Sequence, residues 1–364
     1  MNMSLLSYRS HMSYLPGSAE KMPNNTAILR ASSLSRRFFR RRGLLHYAPF
    51  FAVEAMDLIV LPGEVVAVIG ESGCGKTTLS RMLIGMLRSS EGGVQVQMAG
   101  QWRDVSALSP AEESVFRRNC QMVYQESDLA LDPMSPVIES VLEGYRVNWP
   151  GVSRPTARYL SMRLLHELGL EPREWRSLPS SMSGGERKRA VIARAFAALG
   201  CGLENQQGPL PGRLLIADEP TAGLDCATQA RLLSFFLKRR QEMGLAYILI
   251  SHDLAMVRSF SRFVVVMFGG RAVERGPVEA LWPGEGRAGF MHPYSRELIG
   301  ELSSDVDQPA LPDPPDAGCI FRAECPLAEP RCADPQPWQG PSAHQWACWK
   351  AEQIKVQEPK VTRD

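Results

Sequence analysis

The chain has 364 residues, enough for two or three domains and for a hydrophobic core that needs no covalent staple. Lysine plus arginine number 41 against 39 aspartate plus glutamate, a net charge of +2, with 44% hydrophobic and 22% charged residues. This balance excludes a disordered or polybasic chain, names no nucleic-acid partner, and leaves no apolar run of the roughly 18 to 20 residues that cross a bilayer.

Residues 1–26 carry polar side chains every few positions and no apolar stretch of signal-peptide type, so a flexible N-terminal extension of a cytoplasmic protein is expected. In that compartment the eight cysteines are expected to be reduced thiols or ligands. Leu34 to Arg42 mixes apolar residues with arginines and yields no firm element. From Gly63 the text changes: Glu64 to Ile69 is a continuous apolar run ending in glycines, which predicts a strand buried on both faces of a parallel sheet. Leu79, Met82, Leu83, Met86 and Leu87 then recur at helical spacing, predicting one helix with a buried face. Between about Asp128 and Ser180 the spacing of Leu160, Leu164, Leu165 and Leu168, broken by prolines, predicts a helical insertion beside the sheet. Cys201 to Gly212 has turn chemistry without periodicity and predicts a surface loop. Leu214 to Ala217 and Tyr247 to Ile250 are two more buried-strand runs, each ending in polar residues. Ligands of open α/β sheets sit beyond the carboxyl ends of the strands, so the three runs are expected to open on one site. Beyond Gly276 the chain turns rich in proline and glycine, with Pro309 to Asp316 an expected extended linker.

Gly70-Glu-Ser72-Gly73-Cys74-Gly75-Lys76-Thr77, followed by Thr78, fits the phosphate-loop pattern and stands where the chemistry needs it, after a strand and opening a helix. The glycines let backbone N–H groups converge on an anion, the helix start adds its dipole, Lys76 neutralises terminal phosphate charge and the Thr77 hydroxyl can ligate Mg2+. Asp218 and Glu219, at the end of an apolar run, supply the matching carboxylates: Asp218 to hold Mg2+, Glu219 to orient and deprotonate the attacking water.

With Met182-Ser183-Gly184-Gly185-Glu186-Arg187-Lys188-Arg189 added, the sequence resembles the ATP-binding subunits of ABC transporters. The resemblance implies an α/β P-loop nucleotide-binding domain over residues 27–276, a helical subdomain at about 126–195, and ATP with Mg2+ as its ligands. It makes Ser183, Gly184 and Gly185 a second anion nest, Gln125 the glutamine that senses Mg2+ and the attacking water, His252 the switch histidine at the γ-phosphate, and Asp225 a carboxylate near the subunit interface. Phe38 is the candidate for stacking on adenine. In this family the nest faces the nucleotide of another subunit, so one copy of the set implies a second ATP-binding subunit, identical or not. Hydrolysis would drive two permease subunits served by an extracytoplasmic solute-binding protein, with Gln125 and the helical insertion as the coupling surface. Such a subunit would lie peripherally on the cytoplasmic face of the membrane. Glu186 departs from the glutamine of many relatives, Ala222-Gly223 precedes Leu224-Asp225, and the 201–212 loop is longer than usual. An ABC ATPase of a soluble complex is the alternative, as is an export subunit.

Residues 277–364 resemble the C-terminal extension of the oligopeptide, dipeptide and nickel importer branch, through His292-Pro-Tyr-Ser-Arg-Glu-Leu298 and the cysteines Cys319, Cys325, Cys332 and Cys348. Four thiols in a proline-rich segment argue for a metal staple. The resemblance implies a [4Fe-4S] cluster; a structural Zn2+ site is the rival, and no bound metal a third outcome.

Overall fold

The computed structural model describes residues 27–41, 47–125, 130–203, 210–283, 289–300 and 317–351. The chain opens with β1 (Leu29–Arg41), β2 (Tyr47–Val60), β3 (Val65–Ile69) and α1 (Lys76–Leu83). There follow β4 (Glu91–Met98), β5 (Gln101–Asp104), α2 (Pro110–Asn119) and β6 (Cys120–Val123). A run of helices comes next: α3 (Val137–Asn148), α4 (Arg154–Glu167), α5 (Pro172–Trp175) and α6 (Gly184–Ala198). Strands and helices then alternate through β7 (Leu214–Asp218), α7 (Cys226–Met243), β8 (Ala246–Ile250), α8 (Leu254–Phe260) and β9 (Phe263–Phe268). The described chain ends with β10 (Arg271–Pro277), α9 (Val278–Leu281), α10 (Pro293–Leu298) and β11 (Gln345–Trp346).

The apolar runs become the inner strands of a seven-stranded sheet of order β11-β10-β9-β3-β8-β7-β6, parallel from β9 to β6. Because β3, β8 and β7 are adjacent and parallel, their carboxyl ends open on one edge, as their polar endings imply. Side chains alternate between faces along each strand. Val65, Ala67 and Ile69 therefore join a core with α3, α4, α6, α7 and α8, while Val66 and Val68 pack into a second core under a four-stranded antiparallel sheet, β2-β1-β4-β5. The helical run packs α3 against α6, with Trp149 Nε1 donating to the Ala198 carbonyl at 2.9 Å.

Four expectations change. The arginine-rich block is the outer half of the 13-residue β1, paired with β2 in a register that sets Phe38 opposite Phe50. Its arginines lie over cross-strand or neighbouring rings: Arg36 over Phe38 at 4.8 Å, Arg37 over Phe51 and Arg40 over Phe50 at 5.1 Å each. Charge thus sits on aromatic faces, and an apolar count along one strand alone does not register it. The helix after the phosphate loop stops at Leu83, leaving Met86 exposed, because Gly85 takes a left-handed φ of 74° and the Met86 N–H turns back to the Arg81 carbonyl at 2.8 Å. Cys201 is buried, its carbonyl accepting the Tyr145 hydroxyl at 2.5 Å, so the 201–212 segment starts inside the core; residues 204–209 lie outside the described residues. The segment beyond Gly276 adds β11 to the edge of the main sheet, with Glu274 opposite Trp346, and sends Cys319, Ile320 and Phe321 into its core. The expected extension at 1–26 and the linker at 309–316 lie outside the described residues, as do residues 126–129 at the start of the helical insertion.

Candidate functional site

A cavity of about 530 Å3 lies beyond the carboxyl ends of β3 and β7, within the size range of small-molecule sites. It is lined by Ser72, Gly73, Gly75, Lys76, Thr77 and Thr78 of the phosphate loop and helix start, by Gln125, Asp218 and Glu219, and by Phe38, Arg40, Phe50 and Phe51 of the β1–β2 pair. Phe268, Gly269, Gly270 and Ile320 complete the lining.

Gly75 caps α1 at φ 107°, and a Cβ there would stand 2.0 Å from the Ala52 carbonyl oxygen; one at Gly70 would stand 2.2 Å from the Met267 carbonyl oxygen. Only glycine lets the loop pass so close to β2 and β9. Lys76, buried, donates from Nζ to the carbonyls of Gly70 and Glu71 at 2.7 Å each. Its ammonium is thus held at the centre of the loop. Cys74 is buried beneath it, and burial raises its thiol pKa.

Thr77 Oγ1 donates to Asp218 Oδ2 at 2.8 Å. Burial, chiefly, and the neighbouring Glu219 raise the Asp218 pKa, against the pull of Thr77 and Lys76. A hydroxyl and a carboxylate destabilised by burial suit a divalent cation, which would neutralise phosphate charge when bound. Glu219 has a strained φ of 52°. Its N–H donates to the Ile250 carbonyl at 2.9 Å and its Oε1 lies 2.8 Å from His252 Nδ1. Its Oε2 is buried with no protein partner, an acceptor left over for a ligand or a water. Lys188 of α6, buried, reaches across to donate to the carbonyls of Glu219 (3.0 Å) and Ala222 (2.7 Å), so the glycine-opened helix is tied to the strand end that carries the carboxylates. Burial lowers the Lys188 pKa.

The phosphate loop, Gln125, Asp218, Glu219 and Phe38 are thus gathered at one cavity, with His252 attached through Glu219. Gly70, Cys74 and His252 are not among its lining residues, nor are Ser183, Gly184, Gly185 and Asp225. Ser183 caps α6, its hydroxyl accepting the Glu186 N–H at 3.2 Å while Glu186 Oε2 takes the Ser183 N–H at 2.8 Å. Asp225 caps α7. Sequence reasoning missed Phe50, whose ring lies 6.0 Å from that of Phe38, and also Lys188 and Ile320. Phe50 could have been found from the Phe38 side once the hairpin register was known; nothing local marks Ile320.

In the C-terminal segment the Cys319 N–H donates to the Cys332 carbonyl at 2.8 Å. Burial, then the nearby Cys348 and Cys332 thiols, push Cys319 up to about 11; burial and the other three cysteines push Cys325 up to about 12. Burial raises the Cys348 thiol as well. Among the described residues no three His, Cys, Asp or Glu side chains are set as ligands of one metal ion.

A glycine cradle facing a paired carboxylate strand end, with a helical run inserted between the two, defines a P-loop nucleotide hydrolase. The ABC transporter family model matches residues 53–222. The di/tripeptide transport ATP-binding protein DppF of Pseudomonas aeruginosa (strain UCBPP-PA14) is 33% identical over 340 residues, covering 90% of this chain and 98% of that protein. The oligopeptide transport ATP-binding protein OppF of Escherichia coli (strain K12) is 32% identical, over 83% of this chain and 89% of its own. Among solved structures, a dimeric post-hydrolysis state of the ATP-binding cassette MJ0796 with ADP and Pi aligns with a TM-score of 0.59 at 22% identity, covering 69% of this chain and 99% of that one. The chain belongs to the ABC transporter ATP-binding family, and it is an ABC-type ATPase.

Proposed function

We propose that this ATPase energises uptake of peptides or a related small solute such as a metal chelate through a membrane importer. The full-length likeness to peptide-transport ATP-binding proteins carries this reading. No helix among the described residues is long and apolar enough to cross a membrane, so the reading has the chain bind peripherally to two permease subunits on the cytoplasmic face, fed by an extracytoplasmic binding protein. Co-purification from membranes with two hydrophobic chains and solute-stimulated ATPase activity are the expected results. Recovery only in a soluble complex overturns the importer.

In this reading Phe38 and Phe50 hold the adenine, and residues 72–78 with Lys76 take the phosphates. Thr77, Asp218 and Gln125 hold Mg2+. Glu219, oriented by His252 Nδ1–H, accepts the proton of the attacking water at its unpartnered Oε2. Ser183, Gly184, Gly185 and Asp225 lie outside the cavity lining, which fits service to the nucleotide of a second ATP-binding subunit. Glu186 puts a carboxylate at that helix start, where an incoming phosphate would meet it. Glu186→Gln is therefore expected to lower the ATP concentration for half-maximal dimer closure by about threefold in 50 mM salt, an effect that shrinks in 0.5 M salt. Light scattering against ATP concentration reads this directly; an unchanged or raised midpoint removes the repulsion.

The four C-terminal cysteines are proposed to hold a [4Fe-4S] cluster, with Zn2+ as the rival. The support is their number and their place in a proline-rich segment like that of the importer branch; the four side chains are not set as ligands of one ion in this structure, so binding would have to draw them together and deprotonate them. Anaerobically purified protein is expected to be brown, with about four iron and four sulfide per chain. A colourless protein with one zinc overturns the cluster.

A further inference from the structure

The C-terminal segment reaches the cavity and the phosphate loop. Glu274 of β10, fully buried, clamps two pieces of it: Oε1 accepts the Met291 N–H (2.8 Å) and lies 2.7 Å from His344 Nε2, and Oε2 accepts the His292 N–H at 3.0 Å. His292 caps α10, whose second residue is Tyr294. The Tyr294 ring is fully buried between Phe268 (centroids 4.6 Å apart) and Phe321 (5.5 Å). Its hydroxyl accepts the Glu71 N–H at 2.9 Å.

That N–H belongs to the peptide unit whose carbonyl is Gly70 O, the acceptor of Lys76 Nζ at 2.7 Å. The Gly70–Glu71 peptide plane is thus held on one side by a tyrosine hydroxyl and on the other by the lysine ammonium, and each bond polarises the next. Two residues past Cys319's neighbour Gly318, Ile320 forms cavity wall, and a Cβ on Gly269 would come within 2.7 Å of its Cδ1. Arg271 fixes this wall, its Nη1 donating to the Gly318 carbonyl at 3.3 Å while Nε and Nη2 donate to the two Glu54 carboxylate oxygens at 2.8 Å each.

We propose that Tyr294 is a positioning residue of the nucleotide site, setting the peptide plane on which Lys76 rests, and that the segment carrying Tyr294 and Ile320 thereby sets nucleotide affinity. The inference rests on the cavity being that site. Without the hydroxyl the Glu71 N–H loses its acceptor, the plane is free to rotate, and a nucleotide must order the loop as it binds, which appears as weaker binding.

The test is calorimetric titration of the full-length chain with MgADP and steady-state ATPase kinetics. Tyr294→Phe keeps the ring between Phe268 and Phe321 and is expected to weaken MgADP binding about fivefold. KM for ATP should rise by a like factor with a smaller change in kcat. Ile320→Ala, which trims the wall without touching the hydrogen bond, is expected to weaken binding about threefold and, if Tyr294→Phe does not fold, decides whether the segment sets nucleotide affinity. Wild-type protein that binds no nucleotide defeats the reading of the cavity itself. Wild-type binding with the folded variants unchanged within a factor of about 1.5 overturns the inference, as does a lowered urea midpoint with unaltered MgADP affinity, which marks a purely structural tyrosine.

Discussion

Glu219→Gln is expected to reduce ATP turnover by at least about 10²-fold while leaving MgATP binding within a few-fold of wild type, because the change removes a proton acceptor and little else. The amide has nearly the same shape and can still accept from His252 Nδ1, which lies 2.8 Å from Oε1. It cannot take a proton from water at the buried, unpartnered Oε2 position. The strained φ of 52° at Glu219 is held by the Glu219 N–H bond to Ile250 and the Lys188 bond to the Glu219 carbonyl, neither of which involves the side chain, so the variant should fold. Phosphate release and nucleotide titration on the same preparation check this. Turnover within tenfold of wild type takes Glu219 out of the proton transfer.

The second large effect is expected at Gly75. Alanine there must adopt φ 107° and place its Cβ 2.0 Å from the Ala52 carbonyl oxygen, so either the loop or β2 has to move. The conformational strain alone costs ~2 kcal/mol, and the displaced backbone is the one that presents N–H groups to phosphate. Gly75→Ala is therefore expected to lose MgATP affinity by about 100-fold or more and to lower the urea midpoint. Near-normal affinity in a folded variant would show that the loop does not need its close approach to β2. The contrast with Glu219→Gln is informative, since one variant loses binding and the other loses chemistry.

Where the sequence is legible, the determinants are local. Gly70 to Thr77 specify a loop because glycine, and no other residue, fits the approach to Ala52 and Met267, and because a helix start follows at once. Uninterrupted apolar text at 65–69, 214–217 and 247–250 reads as inner strands because both faces of those strands are buried. The helix after the loop ends at Leu83, short of the apolar spacing that continues to Leu87, because one glycine, Gly85, outweighs that spacing.

By itself, then, the amino-acid sequence determined the phosphate cradle, the acidic strand end and, through the order of its motifs, the family; each motif lies within a short stretch whose conformational needs are written in its own side chains. The tertiary structure alone decided that an arginine-rich block is a strand, that Phe50 stands opposite Phe38, that Ser183 and Asp225 fall outside the cavity lining, and that Tyr294 reaches Glu71 across 223 residues of chain. The physical reason is that these are products of strand register and sheet order, where a partner is chosen by what the whole core brings near, and no single segment carries the information that names its neighbour.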